Sequence, residues 1–423
     1  MRIVIVTIGT RGDVQPYIAL ATGLQRAGHK LTICTHATFR PFVESHGVAF
    51  APLAGDIRAL LASDAGRRLV AQRNPWTAVR QLHTLAAPLL GHVMADILAA
   101  TDGAELILGS TLGYLNAVTA AQVNDAPLVL AGLQPFTPTS AFPVPLLAPA
   151  QHRLPAEGGF NRLSFHIAYR LLQLASARLA NRWRRELTGL RPLGYRDVFG
   201  PLIDARSPVL YGFSSHLLPR PGDYGAQTIV TGFWFLEQQP TWQPPEELAA
   251  FLAAGDPPVY IGFGSAPDRD PGQVGQSAID ALQQSGQRGI LAAGWEGLAT
   301  QRLPPTILQI DAAPHDWLFP RVSLVVHHGG IGTAAAALRA GVPQIVVPFS
   351  ADQPFWAAQL YQRGVTPAPL PRRRLRGATL ASAIRAALHD KTIQTNVRRL
   401  ASALRQEDGV AAAVAAINRL RTP

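Results

Sequence analysis

Short apolar runs alternate with stretches of helical periodicity along both halves of this chain, which predicts two parallel sheets covered by helices. In the first half, Met1 to Thr7 reads as a buried strand and Pro16 to Gly28 as a helix closed by Gly28. Leu31 to Thr35, Leu106 to Gly109 and Leu128 to Ala131 read as further strands of one sheet. A second series starts at Pro257-Pro258-Val259-Tyr260-Ile261-Gly262-Phe263-Gly264-Ser265, a strand entering a Gly-rich turn. It continues with strands at Gly289 to Ala292, Thr306 to Ile310, Leu324 to Val326 and Gln344 to Val347.

Between Gln134 and Arg196 the alternation stops. A Pro-rich loop through Pro155 precedes an amphipathic stretch from Phe160 to Leu190, which packs on the first sheet or covers an apolar ligand pocket. At 423 residues the chain exceeds one hydrophobic core. The expected organisation is a domain over 1–236, a Pro- and Trp-rich linker over 237–247, and a second domain over 248–400. A helical tail over 401–423 follows, the last helix running from about Gln394 to Leu420 and open to packing on either domain.

Composition changes this picture little. Hydrophobic residues at 48% and charged residues at 15% describe a folded chain. The net charge of +11 rests on Arg, since lysine occurs only at Lys30 and Lys391. Only Arg182-Trp183-Arg184-Arg185 and Arg372-Arg373-Arg374-Leu375-Arg376 are dense. Without aromatic interleaving or a nucleic-acid motif, these read as solvated faces, with an anionic membrane surface or an acidic ligand as the alternative. Cys34 is the single cysteine, so no intramolecular disulfide forms and a reducing, cytoplasmic setting fits. The apolar run Ile3 to Val6 is too short for a signal-peptide core, and the stretch from Pro127 to Ala150 is broken by six prolines. Membrane contact, if any, is expected to be peripheral.

Three segments carry chemistry. Val325-Val326-His327-His328-Gly329-Gly330-Ile331-Gly332-Thr333 is a buried strand, a Gly-rich turn and a small-residue helix, which aims free N–H groups and a positive dipole end at an anion. No Walker-type Lys follows, so cation-like help falls to the His pair, with His328 the better placed. Ser350-Ala351-Asp352-Gln353-Pro354 opens another helix, and its adjacent carboxylate and amide suit sugar hydroxyls. Helix capping by Asp352 is the competing reading. Gly9-Thr10-Arg11-Gly12-Asp13 follows the first strand, where open α/β sheets bind ligands; Asp13 is a candidate general base or an N-cap before Pro16. Ser265 offers a donor from the second Gly-rich turn. Asp268-Arg269-Asp270 has the spacing of a metal-binding pair but lies in a Pro-flanked loop, so no metal is inferred.

These residues together resemble family 1 glycosyltransferases of the GT-B fold, and among them the bacterial and fungal sterol glucosyltransferases. Gly9 to Leu20 is similar to that family's opening. Pro219-Arg220-Pro221-Gly222-Asp223 with Thr231-Gly232-Phe233-Trp234-Phe235 is similar to the approach to its linker. Pro314 to Pro320, His327 to Thr333 and Asp352 to Trp356 resemble its donor signature. The resemblance implies two facing Rossmann-like domains, the first binding an acceptor and the second a nucleotide sugar, with a cleft between them. It implies that Ser265, His328, Gly330, Gly332 and Thr333 hold a diphosphate and Asp352 and Gln353 the sugar. It also implies that Asp13 is the base, on a loop whose backbone is Thr10, Arg11 and Gly12. Where plant relatives stack a Trp on uracil, Ala312 stands here, and Trp295 offers a stacking face or is a core residue. The implied reaction is inverting transfer of glucose from UDP-glucose to an apolar acceptor such as a sterol, with no cofactor beyond the donor. A macrolide, polyketide or glycopeptide aglycone with a UDP- or dTDP-sugar is the alternative. A sugar-nucleotide epimerase and a donor-binding auxiliary protein are the rivals from other classes, and oligomeric state is left open.

Overall fold

The structure, a computed structural model, describes residues 1–55, 89–146, 157–238, 241–264, 271–292 and 303–420. Ser265, the Asp268-Arg269-Asp270 segment and Trp295 lie outside the described residues.

Seven strands form the first sheet: β1 (Arg2–Val6), β2 (Lys30–His36), β3 (Ala49–Leu53), β4 (Leu106–Gly109), β5 (Leu128–Gly132), β6 (Val209–Tyr211) and β7 (Thr228–Val230). They lie in the order β3-β2-β1-β4-β5-β6-β7, every pairing parallel. The second sheet has β8 (Val259–Gly262), β9 (Gly289–Ala292), β10 (Ile307–Ile310), β11 (Leu324–His327) and β12 (Gln344–Val346) in the order β10-β9-β8-β11-β12, again all parallel. The continuous apolar runs follow from burial on both faces: β4, β8 and β11 are buried at every position. Periodicity missed β3, β6 and β7. β3 is an edge strand carrying Pro52, and β6 and β7 have three residues each, too few to write a pattern.

Both sheets reverse their winding at one place, between β1 and β4 and between β8 and β11. Chains leaving these strands diverge to opposite sides, which opens a crevice beyond their carboxyl ends. The loops there are 7–10 and 110–113 in the first sheet, and 263–264 and 328–330 in the second.

The sheets share a core. One cluster joins Tyr211, Phe213 and Phe142 from the first half to Phe355, Trp356 and Leu360 from the second. Phe142 meets Phe355 edge-on at 5.4 Å between ring centres, and Phe213 meets Trp356 at 5.7 Å. The linker is held on the second half, where Gln238 N donates to Asp316 Oδ2 at 2.8 Å and Arg339 pairs with Glu237 at 2.6 Å.

The single terminal helix expected from about Gln394 is two helices. Lys391–Gln406 packs on the Ile331–Ala340 helix of the second half, where Arg405 Nε donates to the Arg339 carbonyl at 2.9 Å. Gly409–Arg419 packs back on Arg11–Arg26, with Ala413, Ala416 and Ile417 in the first half's core. The break is chemical. Asp408 Oδ1 accepts from Ala411 N at 2.8 Å, starting a new helix, while a Cβ on Gly409 would stand 2.4 Å from the Phe233 carbonyl oxygen. Gly409→Val should therefore cost about 1–3 kcal/mol by overpacking, read as a lower urea midpoint, whereas an unchanged midpoint contradicts this close packing.

Candidate active site

β11 ends at His327, whose ring is fully buried. Its Nδ1 accepts from Gly329 N at 3.0 Å and its Nε2 lies 2.7 Å from Gln344 Oε1, an arrangement satisfied by the tautomer carrying the proton on Nε2. Burial, reinforced by His328, pushes its pKa down to about 3. His327 thus pins the turn and carries no charge to a ligand, contrary to the expectation of a cation-like pair.

Gly329 takes φ +93°, and a Cβ there would press on Val346 at 2.9 Å, so only glycine closes this turn. His328 is clamped between two glycines. A Cβ on Gly330 would lie 2.6 Å from its Nε2, and one on Gly264 would lie 3.2 Å from its Cε1. Burial lowers His328 to about 4, so it is a neutral imidazole near pH 7. Its Nδ1 is buried with no hydrogen-bond partner among the described residues. Gly330 is the N-cap of the Ile331–Ala340 helix and supplies no side-chain cap. The first-turn N–H groups at Ile331, Gly332 and Thr333 are open to a ligand, and a Cβ added to Gly332 would meet nothing within 4 Å. The turn thus brings together what an anion would use: dipole, donors and open space.

Asp352 begins the Gln353–Gln362 helix but makes no side-chain cap. Its Oδ2 instead accepts from Trp356 Nε1 at 2.9 Å, so capping does not explain this carboxylate. Gln353 Oε1 accepts from Phe349 N at 2.8 Å and Ser350 N at 3.0 Å. That leaves the amide NH₂ as the part of Gln353 that can meet a ligand. Ala351, just before them, holds φ +56°, a left-handed conformation that costs a non-glycine residue and aims Asp352.

Asp13 lies in the first turn of the Arg11–Arg26 helix, not ahead of it, because the helix starts before Pro16. Its Oδ2 accepts from Thr10 N at 2.8 Å and Thr10 Oγ1 at 3.0 Å, and Thr7 Oγ1 donates to its carbonyl at 2.6 Å. The capping bonds use Oδ2 alone, and Oδ1 makes no hydrogen bond among the described residues. Gly9, at φ +147°, gives way to it: a Cβ there would fall 2.3 Å from Asp13 Oδ2. Burial raises the Asp13 pKa against the pull of the Thr10 bonds.

Two electrostatic couplings cross between the halves. Asp352 is pushed up to about 6, first by burial, against the Trp356 bond and its own N–H, with the negative charge of Asp13 adding to the rise. His315 is pushed down to about 4, first by burial, then by the positive charge of Arg11 and by His328. His315, part of the Pro314–Pro320 stretch that resembles a donor signature but given no role of its own there, lies at the start of the short helix after β10, stacked 4.3 Å over Phe319. Ala312, on the loop after β10, is exposed and offers only a methyl group. Gly12 is exposed as well, and Arg11 lies over the Phe42 ring at 4.7 Å.

Residues 3–98 match the glycosyltransferase family 28 N-terminal domain, and residues 290–415 match the erythromycin biosynthesis protein CIII-like C-terminal domain. Sterol 3-beta-glucosyltransferase UGT80B1 of Arabidopsis thaliana is 37% identical over 430 residues, covering 100% of this chain and 68% of that protein. The chain belongs to the sterol 3-beta-glucosyltransferase family of glycosyltransferases. Sterol 3-beta-glucosyltransferase UGT80A2 of the same plant is 37% identical, over 98% of this chain and 65% of its own length. The Aspergillus clavatus sterol 3-beta-glucosyltransferase is 34% identical over 99% of this chain, which spans 30% of that protein. Among solved structures, the kitacinnamycin glycotransferase superposes with a TM-score of 0.71 at 17% identity, covering 99% of this chain and 98% of its own. The calicheamicin glycosyltransferase CalG4 gives 0.70 at 16%, with the same coverage. The fold is GT-B, and the glycosyltransferase works with a nucleotide sugar.

Two outcomes follow from this geometry. His328→Ala should weaken UDP binding about ten- to a hundredfold, the worth of one hydrogen bond to a charged group at about 1.5–3 kcal/mol; calorimetry showing unchanged affinity would remove His328 from the anion site. Because the native pKa of Asp352 exceeds its unfolded value, the folded state keeps a proton from about pH 4 to about 6 that the unfolded chain has released. Stability thus falls as pH rises through that window. Asp352→Asn, which keeps an acceptor for Trp356, should be more stable at pH 7 by on the order of 1–3 kcal/mol. The advantage should shrink toward pH 4 in denaturant titrations, and a less stable variant at pH 7 contradicts the assignment.

Proposed function

We propose that this glycosyltransferase moves glucose from UDP-glucose to the hydroxyl of a sterol or similar apolar alcohol, with inversion, and that Asp13 is the base. The observation that carries this reading is the pair of carboxylates, Asp13 from one half and Asp352 from the other, close enough for one charge to raise the other's pKa beside the His328–Thr333 anion site. The first would face the acceptor and the second the sugar. The plant and fungal relatives, named for sterol 3-beta-glucosyl transfer and similar along the whole of this chain, favour glucose and a sterol.

In the proposed step, the acceptor oxygen attacks the anomeric carbon from the side opposite the diphosphate. Its proton passes to Asp13, the C–O bond to the diphosphate breaks, and the leaving electron pair stays on UDP. The open N–H groups of Gly332 and Thr333 and the Ile331–Ala340 helix dipole meet that charge, with His328 as a neutral hydrogen-bonding partner. Ser265 is proposed to touch phosphate, and Asp352 with the Gln353 NH₂ to hold sugar hydroxyls. Trp295 and Ala312 are assigned to the base side of the pocket. No metal or further cofactor is part of this proposal.

A UDP-release screen of UDP-glucose and dTDP-glucose against sterols, macrolides and flavonoids tests the substrates; turnover with sterol and UDP-glucose is expected, and turnover confined to a macrolide with dTDP-glucose overturns the assignment. Conversion of UDP-glucose to another UDP-sugar with no acceptor added would instead favour an epimerase, and UDP binding with no release from UDP-glucose in the presence of any acceptor would favour an auxiliary binding protein. Asp13→Ala should lose about 10²–10⁴ in kcat with UDP affinity retained, and unchanged turnover excludes Asp13 as the base.

A further inference from the structure

The Glu157–Thr188 helix buries one side and leaves the other exposed among the described residues. Inward, Phe165, Ala168 and Tyr169 join the core cluster that also holds Phe355 and Trp356, and Tyr169 Oη donates to the Phe136 carbonyl. Outward, Phe160, Leu163, Ile167 and Leu174 are 38%, 53%, 41% and 73% exposed. Their spacings of three, four and seven residues place them on one stripe, about 21 Å long at 1.5 Å per residue.

The same stripe changes character toward the helix's end. Arg178, Arg182 and Arg185 continue it and line a groove of about 330 Å³ together with Asn181, Glu186 and Pro192. Arg182 spends part of its charge on Glu186 at 2.9 Å, but both side chains are about half exposed or more, so that pair is weak. Between Gly158 and Thr188 the chain carries six Arg and one acid, Glu186. The outer face is therefore mainly apolar at one end, where Arg170 is the charged member and lies over the Tyr195 ring at 3.8 Å, and cationic at the other, with no carboxylate among its apolar members.

We propose that this face docks the enzyme on a bilayer containing anionic phospholipid. Phe160, Leu163, Ile167 and Leu174 enter the boundary between headgroups and acyl chains, and the arginine groove takes headgroup phosphates. An interfacial helix of this kind needs an apolar stripe flanked by Arg or Lys, and both are present on one side of one helix. A second copy of the chain fits poorly. A parallel pairing of these helices sets arginine against arginine, and an antiparallel pairing sets arginine against the apolar end. No described helix is long and apolar enough to cross the membrane, so this contact is one of lying on it. Docking does not depend on which acceptor the cleft takes, so its failure and that of the sterol reading are separate results.

Flotation of the full chain with phosphatidylcholine vesicles, with and without phosphatidylglycerol, tests the proposal. Binding is expected with phosphatidylglycerol and should weaken in high salt. Leu163→Asn with Leu174→Asn should abolish it, and Arg178→Gln with Arg182→Gln should lower it about fivefold per arginine. Thermal melting of both variants checks that these exposed positions leave the fold intact. No binding to phosphatidylglycerol vesicles overturns the proposal, as does binding that both variants leave unchanged. A dimer in gel filtration that the leucine variant splits would show that a second copy covers the face. Full displacement from vesicles by inorganic phosphate at matched ionic strength would show a plain anion groove; both results also overturn it.

Discussion

The placement of two crevices opposite each other is the constraint on which the rest depends. Each parallel sheet opens beyond the carboxyl ends of its central strands, and the aromatic cluster of Phe142, Phe213, Phe355 and Trp356 holds the two sheets as one packed unit. The Gly409–Arg419 helix, returning to the first half from the second, ties them at the back. Without that registration, Asp13 and Asp352 would be two ordinary carboxylates; with it, the negative charge of Asp13 reaches Asp352.

The site is made mostly of backbone, and this explains its glycines. Gly329 is needed for a left-handed turn, Gly330 and Gly264 for room around the His328 ring, and Gly9 for room beside Asp13. The helix beginning at Gly330 has no capping side chain, so its N–H groups stay unspent until an anion arrives. His328 is kept neutral by burial, which fits a site that holds a diphosphate by hydrogen bonds and a dipole.

Much of this was legible in the sequence because it rests on local rules. Strands buried on both faces wrote continuous apolar runs, and the strand-turn-helix at His327–Thr333 is found where its glycines and apolar run placed it. What was illegible depends on tertiary contact. β6 and β7 are three-residue strands specified by their neighbours, and the last helix is interrupted because Gly409 presses on the Phe233 carbonyl. Local pattern also could not divide the His pair. His327 is spent on Gly329 and Gln344, whereas His328 faces two glycines, and only the packed turn separates the two roles. Nor could it show that Asp13 caps from within its helix, because the helix extends about one turn ahead of Pro16.

The central claim is that one carboxylate from each half shares a single cleft. Carboxyl ¹³C NMR of aspartate-labelled enzyme, titrated as the parent and as Asp13→Asn, tests it most directly. The account predicts that Asp352 titrates near pH 6 in the parent and at a lower pH once the neighbouring charge is gone. An Asp352 titration identical in the two proteins would show that the carboxylates do not face each other and would contradict the account.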